Sequence, residues 1–169
     1  MPDSLKLIER EVSSCKKCPL YKTAMHGVPG EGPKNAKIFL IGQAPGREED
    51  KTGRPFVGRS GRYLDAQLAR IGLARSDVFI SSVVKHFPPR NRVPTSEEIG
   101  ACKPYVLRQL AFVDPKIVVL MGKVAEGLKD EGILDGKTVI VMPHPAAAMR
   151  FPKVAKRFER DFDRLRSVL

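Results

Sequence analysis

Cys15 and Cys18 stand three positions apart in Ser14-Cys15-Lys16-Lys17-Cys18-Pro19-Leu20, and a third cysteine, Cys102, lies far downstream. A C-x-x-C pair serves a metal, an iron–sulfur cluster, a redox partner or a disulfide. Three cysteines leave a four-ligand centre one ligand short, so a fourth residue of another type is needed. The chain holds only three histidines. One of them, His144, sits between Pro143 and Pro145, which fix the backbone as positioning a catalytic imidazole requires; a capped strand end is the plainer reading. An acidic run, Glu48, Glu49 and Asp50, follows the glycine turn Gly42-Gln43-Ala44-Pro45-Gly46. Such a run is ordinarily solvated surface, and gains chemical meaning only if a strand end delivers it to a cleft. Phe56, in Gly53-Arg54-Pro55-Phe56-Val57-Gly58, is either a loop anchor or a face on which a nucleobase stacks.

These residues need elements to carry them. Four apolar, β-branched runs read as buried strands: Lys37 to Gly42, Val78 to Lys85, Lys116 to Gly122 and Thr138 to Met142. Helical patterns lie between them. Gly61 to Leu73 puts Leu64, Leu68 and Ile71 on one face. Thr95 to Val113 opens with Thr95 and Glu98 in capping-box spacing, and Pro104 is expected to bend or restart it. A short helix is expected in Lys123 to Gly132. The last pattern sets Val154, Phe158, Phe162, Leu165 and Leu169 at helical spacing, a core-facing stripe. Strands alternating with helices predict an α/β fold in which a parallel sheet is covered on both faces. The loops beyond the strand carboxyl ends, rich in Gly, Pro, His and Arg, then share one edge.

Composition limits the function. At 169 residues the chain is read as one domain, residues 1–169, large enough for a core without disulfide staples. No apolar run is long enough to span a bilayer, and the charged start MPDSLKLIEREVSS argues against a secretion signal. A reducing, cytoplasmic setting with no membrane association is therefore expected, and it disfavours a structural disulfide. Thirty basic against 19 acidic side chains give a net charge of +11, which favours a polyanionic partner or marks a generically basic surface. The Gly42 turn matches neither nucleotide-binding glycine signature, and Pro45 lacks a donor that a phosphate cradle would use. A nucleotide-binding domain is the weaker reading.

The strings GQAPGREEDKTGRPFVGRSG, VVKHFPPRNRVPT and HPAAAMR, together with CKKCPL, resemble the family 4 uracil-DNA glycosylases, the iron–sulfur branch of that superfamily. The resemblance extends over nearly the whole chain. It implies a three-layer α/β/α sandwich with a central four-stranded parallel sheet, a 4Fe-4S cluster, and excision of uracil from single- or double-stranded DNA by a monomeric prokaryotic enzyme. By position it implies cluster ligation by Cys15, Cys18, His86 and Cys102, with His86 where the family has its third ligand. A site holding zinc, or a cluster with three protein ligands, is the alternative.

The same resemblance implies that Phe56 stacks on the flipped base, with Gln43 and Ala44 lining the pocket. It implies that His144 donates to the uracil oxygen gaining charge and that Glu49 orients water. Asn91 matches a further active-site position. Lys85, Arg90, Arg92, Arg150 and Lys153 are the basic residues expected on phosphates. Two departures concern the pocket: Gln43 replaces the usual Glu, and Ser82 stands where the family's uracil-reading Asn falls. Substrate choice is then expected to be broader, weaker or different. A DNA-binding protein of this fold that has lost catalysis is the second reading.

Overall fold

The computed structural model describes residues 2–169. Each of the four apolar runs forms a five-residue strand: β1 Ile38–Gly42, β2 Val78–Ser82, β3 Ile117–Met121 and β4 Thr138–Met142. They pair in parallel in the order β2-β1-β3-β4. The expected second strand is shorter than its apolar run, because the chain leaves the ladder after Ser82. The side-chain period of two sorts the core into two layers. Ile38, Leu40, Ile80, Val119 and Ile140 face one side. Phe39, Ile41, Phe79, Val118 and Leu120 face the other.

Helices cover both faces. The first layer packs against α3 (Arg59–Arg70), α6 (Pro145–Arg150) and α7 (Pro152–Ser167) through Leu64, Leu68, Ala148, Phe158, Phe162 and Leu165. The second packs against α4 (Ser96–Val113) and the short α5 (Lys123–Glu126) through Val106, Leu110 and Ala125. The N-terminal α1 (Leu5–Ser13) lies on α4, burying Ile8 and Val12 beside Tyr105. The expected α/β/α sandwich is therefore the observed one.

Local signals agree with the outcome at the start of α4 and differ from it elsewhere. Thr95 and Glu98 form the capping box, with Thr95 Oγ1 accepting from the Glu98 N–H at 3.2 Å and Glu98 Oε2 accepting from the Thr95 N–H at 2.8 Å. The helix they start runs on through Pro104. Leu169 lies past the end of α7 and is exposed, so the core stripe ends at Leu165. Helix α1 carries a short apolar stripe of Leu5, Ile8 and Val12, whereas α2 (Arg47–Thr52) and α6 occupy stretches with no apolar repeat. No helix among the described residues is long and apolar enough to cross a membrane.

Candidate active site

The loops after β1, β2 and β4 meet at the carboxyl edge of the sheet. A cavity of about 80 Å³ there is lined by Ala44, Glu49, Phe56, Ser82, Asn91 and His144, all expected from the sequence, and by Val28, Ser60 and Ala146, which were not. A larger cavity, about 830 Å³, opens at the opposite end between Lys37, Lys116, Thr138 and Leu169. Its lining holds no histidine or cysteine and a single acidic side chain, Asp77, so size alone does not mark the site.

His144 caps α6, and its Nδ1 accepts the Ala146 N–H at 3.1 Å. A backbone N–H can only donate, so Nδ1 carries the lone pair and the ring proton resides on Nε2. Burial pushes the imidazole down to about 4, which leaves it neutral at neutral pH. Its ring stacks beside Phe56 with centroids 5.8 Å apart and planes at 29°.

Glu49 lies in the first turn of α2, 8% exposed, and Oε1 accepts the Gly58 N–H at 3.3 Å. Its neighbour Asp50 is spent otherwise: one carboxylate oxygen accepts the backbone N–H groups of Met25 and His26, tying the N-terminal segment to α2. Glu48 is exposed and pairs with Lys51. Of the acidic run only Glu49 lines the cavity. Phe56 approaches the end of β1 so closely that a Cβ on Gly42 would lie 2.4 Å from its ring, so residue 42 must be glycine for the ring to seat there.

Ser82 ends β2, 6% exposed, and its hydroxyl makes no hydrogen bond among the described residues. Asn91 closes a 3₁₀ turn, Pro89–Asn91, in which Arg90 and Asn91 both have left-handed backbone, φ 56° and 57°. Gln43 is not part of the lining; its carbonyl accepts the Val84 N–H at 3.0 Å.

One expected phosphate contact, that of Lys85, is corrected, and Arg92 already has a protein partner. Lys85 is fully buried, with Nζ donating to Ser81 Oγ at 2.6 Å, the Ser82 carbonyl at 2.8 Å and Gln109 Oε1 at 2.9 Å. Burial pushes its ammonium down to about 7. It braces the end of β2 from inside and does not reach solvent. Arg92 is committed to Glu98 in a two-pronged pair of 2.9 and 2.7 Å. That bond holds the Glu98 carboxyl below the usual range. Arg90, Arg150 and Lys153 are exposed and pair with no acid among the described residues. Arg150 and Arg59, a basic residue the sequence reading passed over, line a shallow groove that shares Ser60 and Ala146 with the cavity.

Cys15, Cys18 and Cys102 are free thiols. Cys18 and Cys102 pack together with Val84 and Leu20, while Cys15 packs by Tyr105. Burial pushes the Cys102 thiol up to about 11. His86 lines a cavity of about 130 Å³ with Cys15, and its buried Nδ1 has no hydrogen-bond partner. No three of His, Cys, Asp or Glu among the described residues are gathered closely enough to hold a metal ion.

The family profile for the uracil DNA glycosylase superfamily matches residues 29–166. Relatives named type-4 uracil-DNA glycosylase are similar nearly end to end. The one from Sulfurisphaera tokodaii is 43% identical, over 98% of this chain and 85% of its own length. That from Archaeoglobus fulgidus is 40% identical, over 96% and 92%. That from Thermotoga maritima is 38% identical, over 86% and 83%. With the strand-edge cavity holding a neutral histidine, a buried glutamate and an aromatic ring, these matches assign the chain to the uracil-DNA glycosylase superfamily, in its type-4 family.

Proposed function

We propose that the protein is a DNA glycosylase that hydrolyses the bond between uracil and deoxyribose and so starts base excision repair. The observation that carries this reading is the fixed tautomer of His144, whose Nε2–H is a neutral donor held in a cavity with the Glu49 carboxylate. Cleavage of the N1–C1′ bond leaves negative charge on the base and positive character on the sugar. The Nε2–H of His144 donates to the base oxygen that gains charge. Glu49 accepts a hydrogen bond from the water whose oxygen bonds to C1′, and takes up its proton. Phe56 offers the flipped base a stacking face, and Asn91 borders the same space with a free carboxamide. Release of free uracil from labelled duplex and single-stranded DNA is the direct test. Tight DNA binding with no base released would leave the reading of a non-catalytic relative in its place.

The cysteine and histidine set fits a 4Fe-4S cluster in its chemistry. Three unpaired thiols and a buried imidazole nitrogen lacking a partner are what such a centre would use, with Cys15, Cys18, His86 and Cys102 as ligands. The cluster would supply a structural tie between the N-terminal segment and the loop after β2. The substrate-facing residues described above act independently of it.

Ser82 supports a second aspect of this reading, an altered base choice. A serine hydroxyl makes fewer bonds to a pyrimidine edge than a carboxamide, and a good two-point base contact supplies about 1–3 kcal/mol of discrimination. Ser82→Asn is expected to raise uracil excision relative to hypoxanthine, xanthine or mismatched thymine by about tenfold. Competition assays with mixed substrates measure this; unchanged selectivity would remove position 82 from base reading.

DNA affinity is expected to fall steeply with salt. Arg150→Gln should lower the slope of log affinity against log salt by about one unit. Arg92→Gln should change it less, because Glu98 already neutralises that guanidinium. Equal losses in the two variants would show that the Arg92 pair opens on DNA.

A further inference from the structure

The ring of Phe56 is delivered by a backbone that phenylalanine rarely adopts, φ 48°. Such a conformation in a bulky residue persists only where the surroundings over-determine it. Two features do so. Gly61 on α3 passes so close that a Cβ there would lie 1.8 Å from the Phe56 carbonyl oxygen, so the turn is packed tightly against bare helix backbone. The second is Arg75, in the short 3₁₀ turn Arg75–Asp77 that leads into β2.

One guanidinium holds two consecutive carbonyls of the strained turn. Arg75 Nη1 donates to the Phe56 carbonyl at 2.7 Å, and Nη2 donates to the Pro55 carbonyl. Its remaining donor directions are filled by acids: Glu31 at 3.1 Å and 3.2 Å, and Asp65 of α3 at 3.2 Å. Glu31 is in turn fixed to the sheet by a two-way backbone bridge to Ile80 of β2. It also takes two bonds from Arg54, at 3.0 and 2.8 Å. Burial draws the Glu31 carboxyl upward, but Arg54 and Arg75 outweigh it and keep it ionised below the usual range. The planar fork is what permits this geometry, since a lysine ammonium cannot present parallel donors to adjacent carbonyls while meeting two carboxylates. The array ties β2, α3 and the turn after α2 together, and none of Arg75, Glu31 and Asp65 lines the cavity.

We infer that Arg75 is the positioning residue for the stacking face of the active site: by holding the Pro55 and Phe56 carbonyls it keeps the Phe56 ring seated against Gly42 and His144 before any base arrives. Arg75 touches neither the base nor the cavity. Its effect on the reaction passes entirely through Phe56, and this rests on the glycosylase reading given above.

A double-mutant cycle tests it. In single-turnover assays Arg75→Met should raise the half-saturating DNA concentration about tenfold while the maximal rate changes less than threefold. In a Phe56→Ala background the same substitution should change it less than twofold, although it lowers the thermal midpoint equally in both backgrounds. The same factor in both backgrounds would reduce Arg75 to general stability and overturn the inference, as would no effect in folded Arg75→Met. Should Arg75→Met not fold, Arg75→Lys, which keeps the charge between Glu31 and Asp65, carries the same expectations. A readout independent of turnover is the NMR shift of the His144 ring protons. In either Arg75 variant they should move to the position seen in Phe56→Ala, and no movement would also overturn the inference. Failure of the wild-type protein to release uracil would count against the functional reading alone, since the ring shifts still decide the role of Arg75.

Discussion

Replacing His144 with alanine is expected to slow uracil release in single turnover by about 10²–10³-fold, the loss that follows removal of one donor to a developing anion. The effect should fall on the maximal rate and leave DNA affinity nearly unchanged, because the interaction strengthens only as the glycosidic bond breaks. The pH dependence follows from the tautomer. Nδ1 is occupied by the Ala146 N–H, and burial places the pKa at about 4 rather than 6.5. The wild-type rate should therefore show no histidine inflection near pH 6.5, and any acid limb due to His144 should lie near pH 4. An inflection near pH 6.5 that disappears in His144→Ala would mean that the imidazolium, and not the neutral ring, takes part. Stability carries the same signature. The unfolded chain binds this proton more readily than the folded protein, so no penalty from His144 exists above pH 6.5, and one grows as pH falls from 6.5 towards 4. Thermal midpoints of His144→Ala should decline less steeply than wild type over that window.

The second large effect concerns Cys102. Protein purified without oxygen is expected to be brown, with broad visible absorption and iron in excess of zinc. Cys102→Ala should abolish the colour and lower unfolding stability by more than about 4 kcal/mol, the scale reached when a structural metal is lost. Cys102 lies 2% exposed on α4 and accepts the Lys85 N–H at 3.4 Å, so its loss loosens the join between that helix and the end of β2. His86→Cys should keep the colour and lower the reduction potential, since imidazole ligation raises it relative to thiolate. Colourless, zinc-loaded wild-type protein from the same preparation would remove the cluster.

The strands were legible because buried parallel strands leave a signal that needs no context: short β-branched runs such as IVVLM. Glu49, Phe56 and His144 were legible as candidates because each follows a strand end or sits in a rigid Gly/Pro turn, and the sheet brings such places together. Helices α2 and α6 were not. At six residues each, they are too short to show periodicity, and they are stabilised by what surrounds them. Lys85 shows a different limit. A lysine at the end of an apolar run can point either way, and only the positions of Ser81, Gln109 and the Pro29 carbonyl reveal that it points inward. Arg75 was invisible for a related reason: the partners that give it its role are the backbone carbonyls of Pro55 and Phe56, a group every sequence supplies at every position.

The strand order β2-β1-β3-β4 gives the two halves of the chemistry unequal footing. Glu49 and Phe56 follow β1, which is paired on both sides, whereas His144 hangs from β4, which is paired on one side only and is the most solvent-exposed of the four strands. An edge strand opens at lower free energy than the centre of its sheet. Fraying of β4 alone would thus withdraw the hydrogen-bond donor while leaving the water-orienting acid and the aromatic seat intact, and uracil release is then expected to fail at a lower temperature than the global unfolding midpoint.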